Sequence, residues 1–296
     1  MAIKDWLSSM TSGGGKTAPR RGAVDKGLSV DDLITLERYD EALALLKKKV
    51  AKNKGDYRSR ILLADLYLKT KKSGEAIEEY VAVADRYASE GFFDKGYALI
   101  AKLSRMLPHE DKLKAKMTAL QRAKRLEHRR QVVVASLAGK LWAVEVGQHW
   151  NELIRGPLIE VLSLDQLKKL FPLLEFVRLE EGKTLVERGE TKNMAFLILS
   201  GELAAQVQLA AGNTTDLRSF RGGDLVGDSA LFQRAPWPAT FRAKSACKLL
   251  GLTRAALQQV MIGEDDPKGF LDMIRIQGND QELVESVRHL KATQPT

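Results

Sequence analysis

The stretch Gly222–Thr240, GGDLVGDSALFQRAPWPAT, decides how the second half of this chain is read. A glycine pair suited to a tight turn opens it, the apolar pair Leu225-Val226 follows, and Gly227 breaks the backbone before a short helix-forming run, DSALF. Prolines then lead to Ala239-Thr240, where a strand begins. A helix starting after Gly227 turns unpaired N-terminal amides outward, an arrangement suited to an anion. Gly227, Ser229 and Ala230 supply that backbone. Ala239 and Thr240 supply the strand entry.

Outward from this stretch the hydrophobic period is two. LILSGELAAQVQL alternates apolar and polar residues after its Ser-Gly turn, and KTLVERGE, DLRSFRGGDLVGD and PATFRAKSACKLLGLT are further short strands bounded by glycine. Short strands roughly ten residues apart predict a β-barrel or jelly roll. EEGKTLVERGE, MAFLILSGEL, GGDLVGDSALF and PAT follow one another in an order and spacing that resemble the cyclic-nucleotide-binding domain family, over residues 153–262.

In that family the cassette reads FGE, a short apolar helix, then PRxAT; its Glu holds the ribose 2′-hydroxyl and its Arg pairs with the cyclic phosphate. The resemblance therefore implies a nucleotide pocket at Gly227, Asp228, Ser229, Ala230, Trp237, Ala239 and Thr240, with Asp228 standing where the Glu would be and Trp237 where the Arg would be. An indole has one neutral donor and cannot reproduce the paired, charge-assisted bonds of a guanidinium, a loss of roughly 1.5 to 3 kcal/mol. Asp228 is one methylene short of Glu and repels a phosphate once the Arg is gone. Arg221, Arg234 and Arg242 are the candidates to compensate. Two readings stay open. The pocket is degenerate, with Trp237 filling it by packing, or it is altered for cyclic AMP, cyclic GMP or a larger cyclic dinucleotide, with Trp237 stacked on a base.

The first half has a different period. RYDEALALLKKKV recurs as SGEAIEEYVAVAD, so Ala42 and Ala76 stand 34 residues apart, the period of a helix-turn-helix repeat. LLADLY adds Ala64 and Tyr67, and Tyr80 follows four after Ala76. These residues resemble tetratricopeptide repeats, which implies a concave helical surface that binds a protein partner. In a third unit, GFFDKGYALIAKLSRMLP, the position equivalent to Ala76 is Gly96, only 20 residues on, so either the intervening helix serves two repeats or the third is a capping variant. Before the repeats, Ile3, Trp6, Leu7 and Met10 fall at helical spacing, as in a docking helix or a weak interfacial anchor. The partner-binding candidates are therefore Ile3, Trp6, Leu7, Met10, Ala64, Tyr67 and Tyr80.

The fold expected is α + β and multidomain: a flexible tail over 1–27, a tetratricopeptide-like solenoid over 28–126, a helical connector over 127–152, a cyclic-nucleotide-binding-like β-barrel or jelly roll over 153–262, and a helical segment over 263–296. In the connector, Trp142, Trp150, Leu153 and Leu158 are expected to pack, with breaks at Gly147 and at Gly156-Pro157. In the last segment Leu283, Val284, Val287 and Leu290 form one apolar face, suited to closing over the pocket.

Composition narrows the function. The single Cys247 can form no internal disulfide, and the four histidines share no ligand spacing, which points to a reducing cytoplasm and away from structural zinc. No apolar run approaches membrane-spanning length, so membrane contact would be peripheral. GGGKT lacks the upstream glycine of a phosphate-binding loop, since that position holds Met10. No nucleophile-base or metal constellation appears, so the chain is expected not to be an enzyme. Residues 1–130 carry a net charge of +10 and residues 131–296 a net charge of −1. Lys112, Lys114, Lys116, Arg122, Lys124, Arg125, Arg129 and Arg130 spread around one helix, as a solvated face does, with a polyanion site as the sharper reading. The function expected is a non-enzymatic signalling adaptor or scaffold: the repeats bind a protein and the second domain is a degenerate or altered nucleotide sensor. A transcription regulator is the alternative. It is disfavoured because only 36 residues follow Val260, too few for a dimer helix and a DNA-reading domain.

Overall fold

The computed structural model describes residues 27–156, 158–209, 213–232, 235–262, 265–276 and 280–293. Ile3, Trp6, Leu7, Met10, Pro157 and Arg234 lie outside the described residues. The chain forms two compact units that divide between Met117 and Thr118.

The first unit is helical: α1 (Val30–Thr35), α2 (Tyr39–Lys52), α3 (Tyr57–Lys69), α4 (Ser73–Ser89), α5 (Phe93–Met106) and the start of α6 (Asp111–Ser136). Ser29 caps α1 in a reciprocal box with Asp32, and Asp56 caps α3 by accepting from the Ser59 amide. The apolar residues of α2, spaced three and four apart, become the core: Ala42, Leu43, Leu46 and Val50 are buried with Leu63, Leu66 and Ala76. Helix α4 packs against both α3 and α5. Its partner position shows why a small residue recurs there. A Cβ at Gly96 would stand 2.9 Å from the Ala84 carbonyl oxygen, closer than side chains approach.

Helix α6 runs unbroken from Asp111 to Ser136. In the second unit it is followed by α7 (Ala143–Gln148), α8 (Trp150–Leu153), α9 (Leu158–Val161), α10 (Leu164–Leu170) and a 3-10 turn over Phe171–Leu173. Gly147 lies inside α7 and does not break it; the chain turns at His149 instead. Trp150, Leu153 and Leu158 are buried in this unit's own core, and Trp142 stacks on Phe176 with ring centroids 5.9 Å apart.

Eight strands follow: β1 (Glu175–Leu179), β2 (Thr184–Val186), β3 (Met194–Ser200), β4 (Glu202–Gln208), β5 (Thr214–Arg221), β6 (Leu225–Val226), β7 (Thr240–Ala243) and β8 (Cys247–Thr253). They form two four-stranded antiparallel sheets, in the orders β1-β8-β3-β6 and β2-β7-β4-β5. The result is a jelly roll; the described strands do not close into a barrel. The Ser200-Gly201 turn moves the chain from one sheet to the other, since β3 pairs with β8 and β6 while β4 pairs with β5 and β7.

Burial explains the sequence of each sheet. Strand β3 reads MAFLILS, without alternation, because both its faces are covered. Ala195, Leu197 and Leu199 join the core shared with the flanking helices, whereas Phe196 and Ile198 join the core between the sheets. The second sheet is covered on one side: Leu203, Ala205, Val207, Phe220, Phe241 and Ala243 enter the inter-sheet core, while Gln208, Arg218 and Arg242 are exposed. Four further helices complete the unit: α11 (Asp228–Phe232), α12 (Arg254–Met261), α13 (Pro267–Ile276) and α14 (Asp280–Thr293). Among the described residues no helix is long and apolar enough to cross a membrane.

Candidate functional site

Strand β6 buries Leu225 and Val226 and delivers Gly227 at φ +77°, in the left-handed region that favours glycine. Helix α11 follows, with the Ala230 amide donating to the Gly227 carbonyl at 3.1 Å. Asp228 begins it and is 6% exposed. The Ala230 carbonyl accepts from Arg254 Nη2 at 3.1 Å, tying α11 to α12.

Trp237 lies 3% exposed across this turn. Its indole is laid so closely over Gly227 that a Cβ there would stand 2.2 Å from Trp237 Cη2. Backbone bonds hold the residue in register: the Trp237 amide donates to the Glu190 carbonyl at 2.9 Å, and the Gly189 amide donates to the Trp237 carbonyl at 2.9 Å. The ring meets Phe241 edge-on at 5.0 Å between centroids and Phe196 at 6.3 Å; Phe220 meets Phe241 in turn at 5.7 Å. Among the described residues the indole N–H reaches the Lys192 carbonyl, at 3.4 Å. The position implied to carry a phosphate-binding guanidinium is thus an apolar plug in an aromatic cluster.

The remaining expected residues divide between two faces. Ala230 and Ala239 are buried, at 3% and 0% exposure. Thr240 is turned to the other side of β7: its Oγ1 donates to Glu187 Oε2 at 3.0 Å and accepts from the Arg188 amide at 3.1 Å. It lines an outer groove of about 470 Å³ with Glu187, Gln206, Gln208, Thr214 and Arg242. Within β7, Thr240 shares its face with exposed Arg242, while Phe241 and Ala243 face the core. Neither described compensating arginine enters the interior. Arg221 pairs with Glu202 at 3.1 Å and Arg242 donates to the Gly182 carbonyl at 3.2 Å, both from exposed positions.

Helix α14 covers the sandwich from the side of β5. Leu283 and Val287 are 1% and 9% exposed and belong to the same core as Trp237, Phe220 and Phe241. Val284 is half-buried, and the Leu290 side chain lies outside the described residues. Glu282 of α14 pairs with Arg218 of β5.

In the helical unit, Ala64, Tyr67 and Tyr80 are 0%, 6% and 0% exposed. They brace the helices from inside and offer no partner-facing surface, because the close packing that selects a small or aromatic residue also encloses it. A polar residue stands beside Ala64 in the same helix. Asp65 is buried and accepts a short hydrogen bond from Tyr80 Oη. Burial raises the Asp65 carboxyl above its usual value, raises the Tyr80 phenol further still, and lowers the Lys102 ammonium, whose charge faces Asp65. A lone aspartate inside the apolar run LLADLY was the available signal. The aromatic cluster had one too: Phe196, Phe220 and Phe241 each stand at inward positions of their strands.

Several basic residues of α6 have partners within the chain. Lys114, Lys116, Arg122 and Arg130 pair with Asp111, Asp85, Glu160 and Glu127, and Arg129 donates to the Ile159 and Leu162 carbonyls. Much of the helix's charge is thus answered locally.

Comparison with known proteins divides the chain as the two periods do. The family model described as tetratricopeptide repeat matches residues 33–103, and that described as cyclic nucleotide-binding domain matches residues 176–263. The cAMP-dependent protein kinase regulatory subunit of Neurospora crassa is 26% identical over 105 residues, which cover 36% of this chain and 26% of that protein. Its counterpart from Aspergillus fumigatus is 28% identical over 105 residues, 36% of this chain and 25% of that protein. The chain therefore spans about a quarter of the length of these curated relatives. A cyclic nucleotide-binding domain from Methylobacillus flagellatus is similar in structure at 16% identity and a TM-score of 0.40, covering 54% of this chain and 96% of that one. The protein carries a tetratricopeptide repeat region followed by a cyclic nucleotide-binding domain.

Proposed function

We propose that this protein is a non-enzymatic signalling adaptor: the helical repeats hold a protein partner, and the cyclic nucleotide-binding domain is a degenerate sensor that serves as an interaction module and does not answer to cyclic AMP. The observation that carries the reading is the Trp237 indole seated on Gly227. It fills the space beside the start of α11, and its single N–H is already directed at the Lys192 carbonyl. A phosphate placed there would face Asp228 without a guanidinium from Arg221 or Arg242. It would also have to displace an aromatic cluster.

Isothermal calorimetry of the full chain with cyclic AMP, cyclic GMP and cyclic dinucleotides tests this. Negligible heat with all of them at near-millimolar ligand is expected. Micromolar binding of any one would overturn the degenerate reading, and quenching of Trp237 fluorescence by that ligand would locate it in the plugged pocket.

A further inference from the structure

A second group of cations lies outside the helix that the sequence singles out. Lys47, Lys48, Lys49 and Lys52 line the last turns of α2, Lys54 follows in the turn, and Arg58 opens α3. All six are exposed. Among the described residues none of them forms an ion pair; Lys47 lies over the Tyr67 ring at 5.6 Å. The acidic groups around this end of the unit are occupied. Asp56 caps α3 through the Ser59 amide, Asp85 pairs with Lys116, and Glu90 binds Arg86 and Tyr57. A favourable position at a helix C-terminus accounts for Lys49 and Lys52. The Asp56 carboxyl, held below its usual range first by Ser59, also feels the charges of Lys49 and Arg58. Neither effect accounts for Lys48 or Lys54.

We propose that this patch docks the protein on an anionic phospholipid surface. The cations are five lysines and one arginine, and lysine acts as a hydrated point charge suited to a diffuse field, where phosphate recognition in nucleic acids favours the arginine fork. Base stacking would need a free aromatic ring, and Tyr57 is held by Glu90, Arg86 and Tyr87. An apolar, tryptophan-containing stretch, Ile3, Trp6, Leu7 and Met10, precedes the patch in the sequence, followed by Lys16, Arg20, Arg21 and Lys26. Such a stretch has a use at a lipid interface that an acidic protein would not give it, and a weak apolar anchor holds stably only when a polybasic patch is added. The inference does not depend on what the cyclic nucleotide-binding domain recognises.

Vesicle co-sedimentation of the full chain is the test, with phosphatidylcholine vesicles compared with phosphatidylcholine-phosphatidylserine vesicles. Binding to the anionic vesicles alone, released by added salt, is expected. Replacing Lys48, Lys49, Lys52 and Lys54 together by Gln should weaken it about a hundredfold or more, while replacing the same four by Arg should keep it. These side chains are exposed, so an unchanged thermal melt separates lost binding from lost folding. No binding to anionic vesicles, equal binding to neutral ones, or full binding by the Gln variant would overturn the proposal. So would retention on polyglutamate or duplex DNA by a chain that ignores the vesicles, since the partner would then be of another class.

Discussion

Trp237 and Tyr80 are both enclosed aromatic residues, one in each unit, and their polar atoms have opposite fates. Trp237 stands where family resemblance implies a charged group, and it packs as an apolar ring whose N–H makes one long bond at 3.4 Å. Tyr80 stands in an apolar repeat core, and its hydroxyl is committed to a buried carboxylate. The jelly roll is thus apolar at a position where the resemblance implies a charge. The helical unit has kept polarity where packing alone would not require it. A motif carries its backbone reliably, but the chemistry of a position depends on what fills the space beside it.

Replacing Trp237 by Ala should have the largest effect on that contrast. Loss of a buried indole from the Phe196, Phe220 and Phe241 cluster is expected to cost about 3 to 5 kcal/mol, read as a fall in the denaturant midpoint. Gly227→Ala sharpens the same point. In the wild type the new Cβ meets the indole and a left-handed φ of +77°. In the Trp237→Ala background the collision disappears and only the backbone cost, about 1 to 2 kcal/mol, should remain. A double-mutant cycle measures the difference as coupling. Additive effects would show that the ring does not rest on Gly227, and the plugged-pocket reading would fail with it.

For the helical unit the expected effect is smaller. Tyr80→Phe leaves the Asp65 carboxylate buried without its donor and should cost about 1 to 3 kcal/mol. Asp65 also links this site to pH. Because burial outweighs the Tyr80 bond and the Lys102 charge, the folded chain holds the Asp65 proton more tightly than the unfolded chain does. Across the window that opens at the usual carboxyl value of 3.8 and extends upward, the folded state therefore binds more protons, and stability falls as pH rises. Subtracting the pH profile of Asp65→Asn from that of the wild type isolates this slope. A difference that rises with pH would mean that the tyrosine and the lysine dominate, and the site would then resemble an ordinary stabilised carboxylate.

Residue patterns reveal backbone more readily than side-chain direction in this chain. The 34-residue interval between Ala42 and Ala76 locates the helical repeat, and the glycine turn, DSALF and PAT locate β6, α11 and β7, because turns, small residues and periods constrain the chain locally. Thr240 reads as a pocket residue until strand alternation turns it toward Glu187. Ala64, Tyr67 and Tyr80 read as a binding surface until the packing of α3 against α4 encloses them. The α6 cations read as a solvated surface spread around the helix, and the structure adds partners for some of them, Asp85, Glu127 and Glu160, that the sequence does not pair with them. Each of these depends on a neighbour supplied by the tertiary fold, which a local pattern does not contain.

The smallest effect is expected at the covering helix, where charge and packing can be told apart. Arg218 and Glu282 join β5 to α14, but their side chains are 40% and 74% exposed, so solvent screens the pair and Glu282→Ala should change stability by about 0.5 kcal/mol or less. Leu283, at 1% exposure in the Trp237 core, carries the attachment if α14 is held by burial. Limited proteolysis of Glu282→Ala and Leu283→Ala distinguishes the two. Cleavage near α14 that accelerates for the leucine variant alone places the hold in the aromatic core. Acceleration for the glutamate variant alone would make α14 an electrostatically latched cover whose closure responds to salt, and the plugged interior beneath it would then be exposed by ionic strength without any nucleotide.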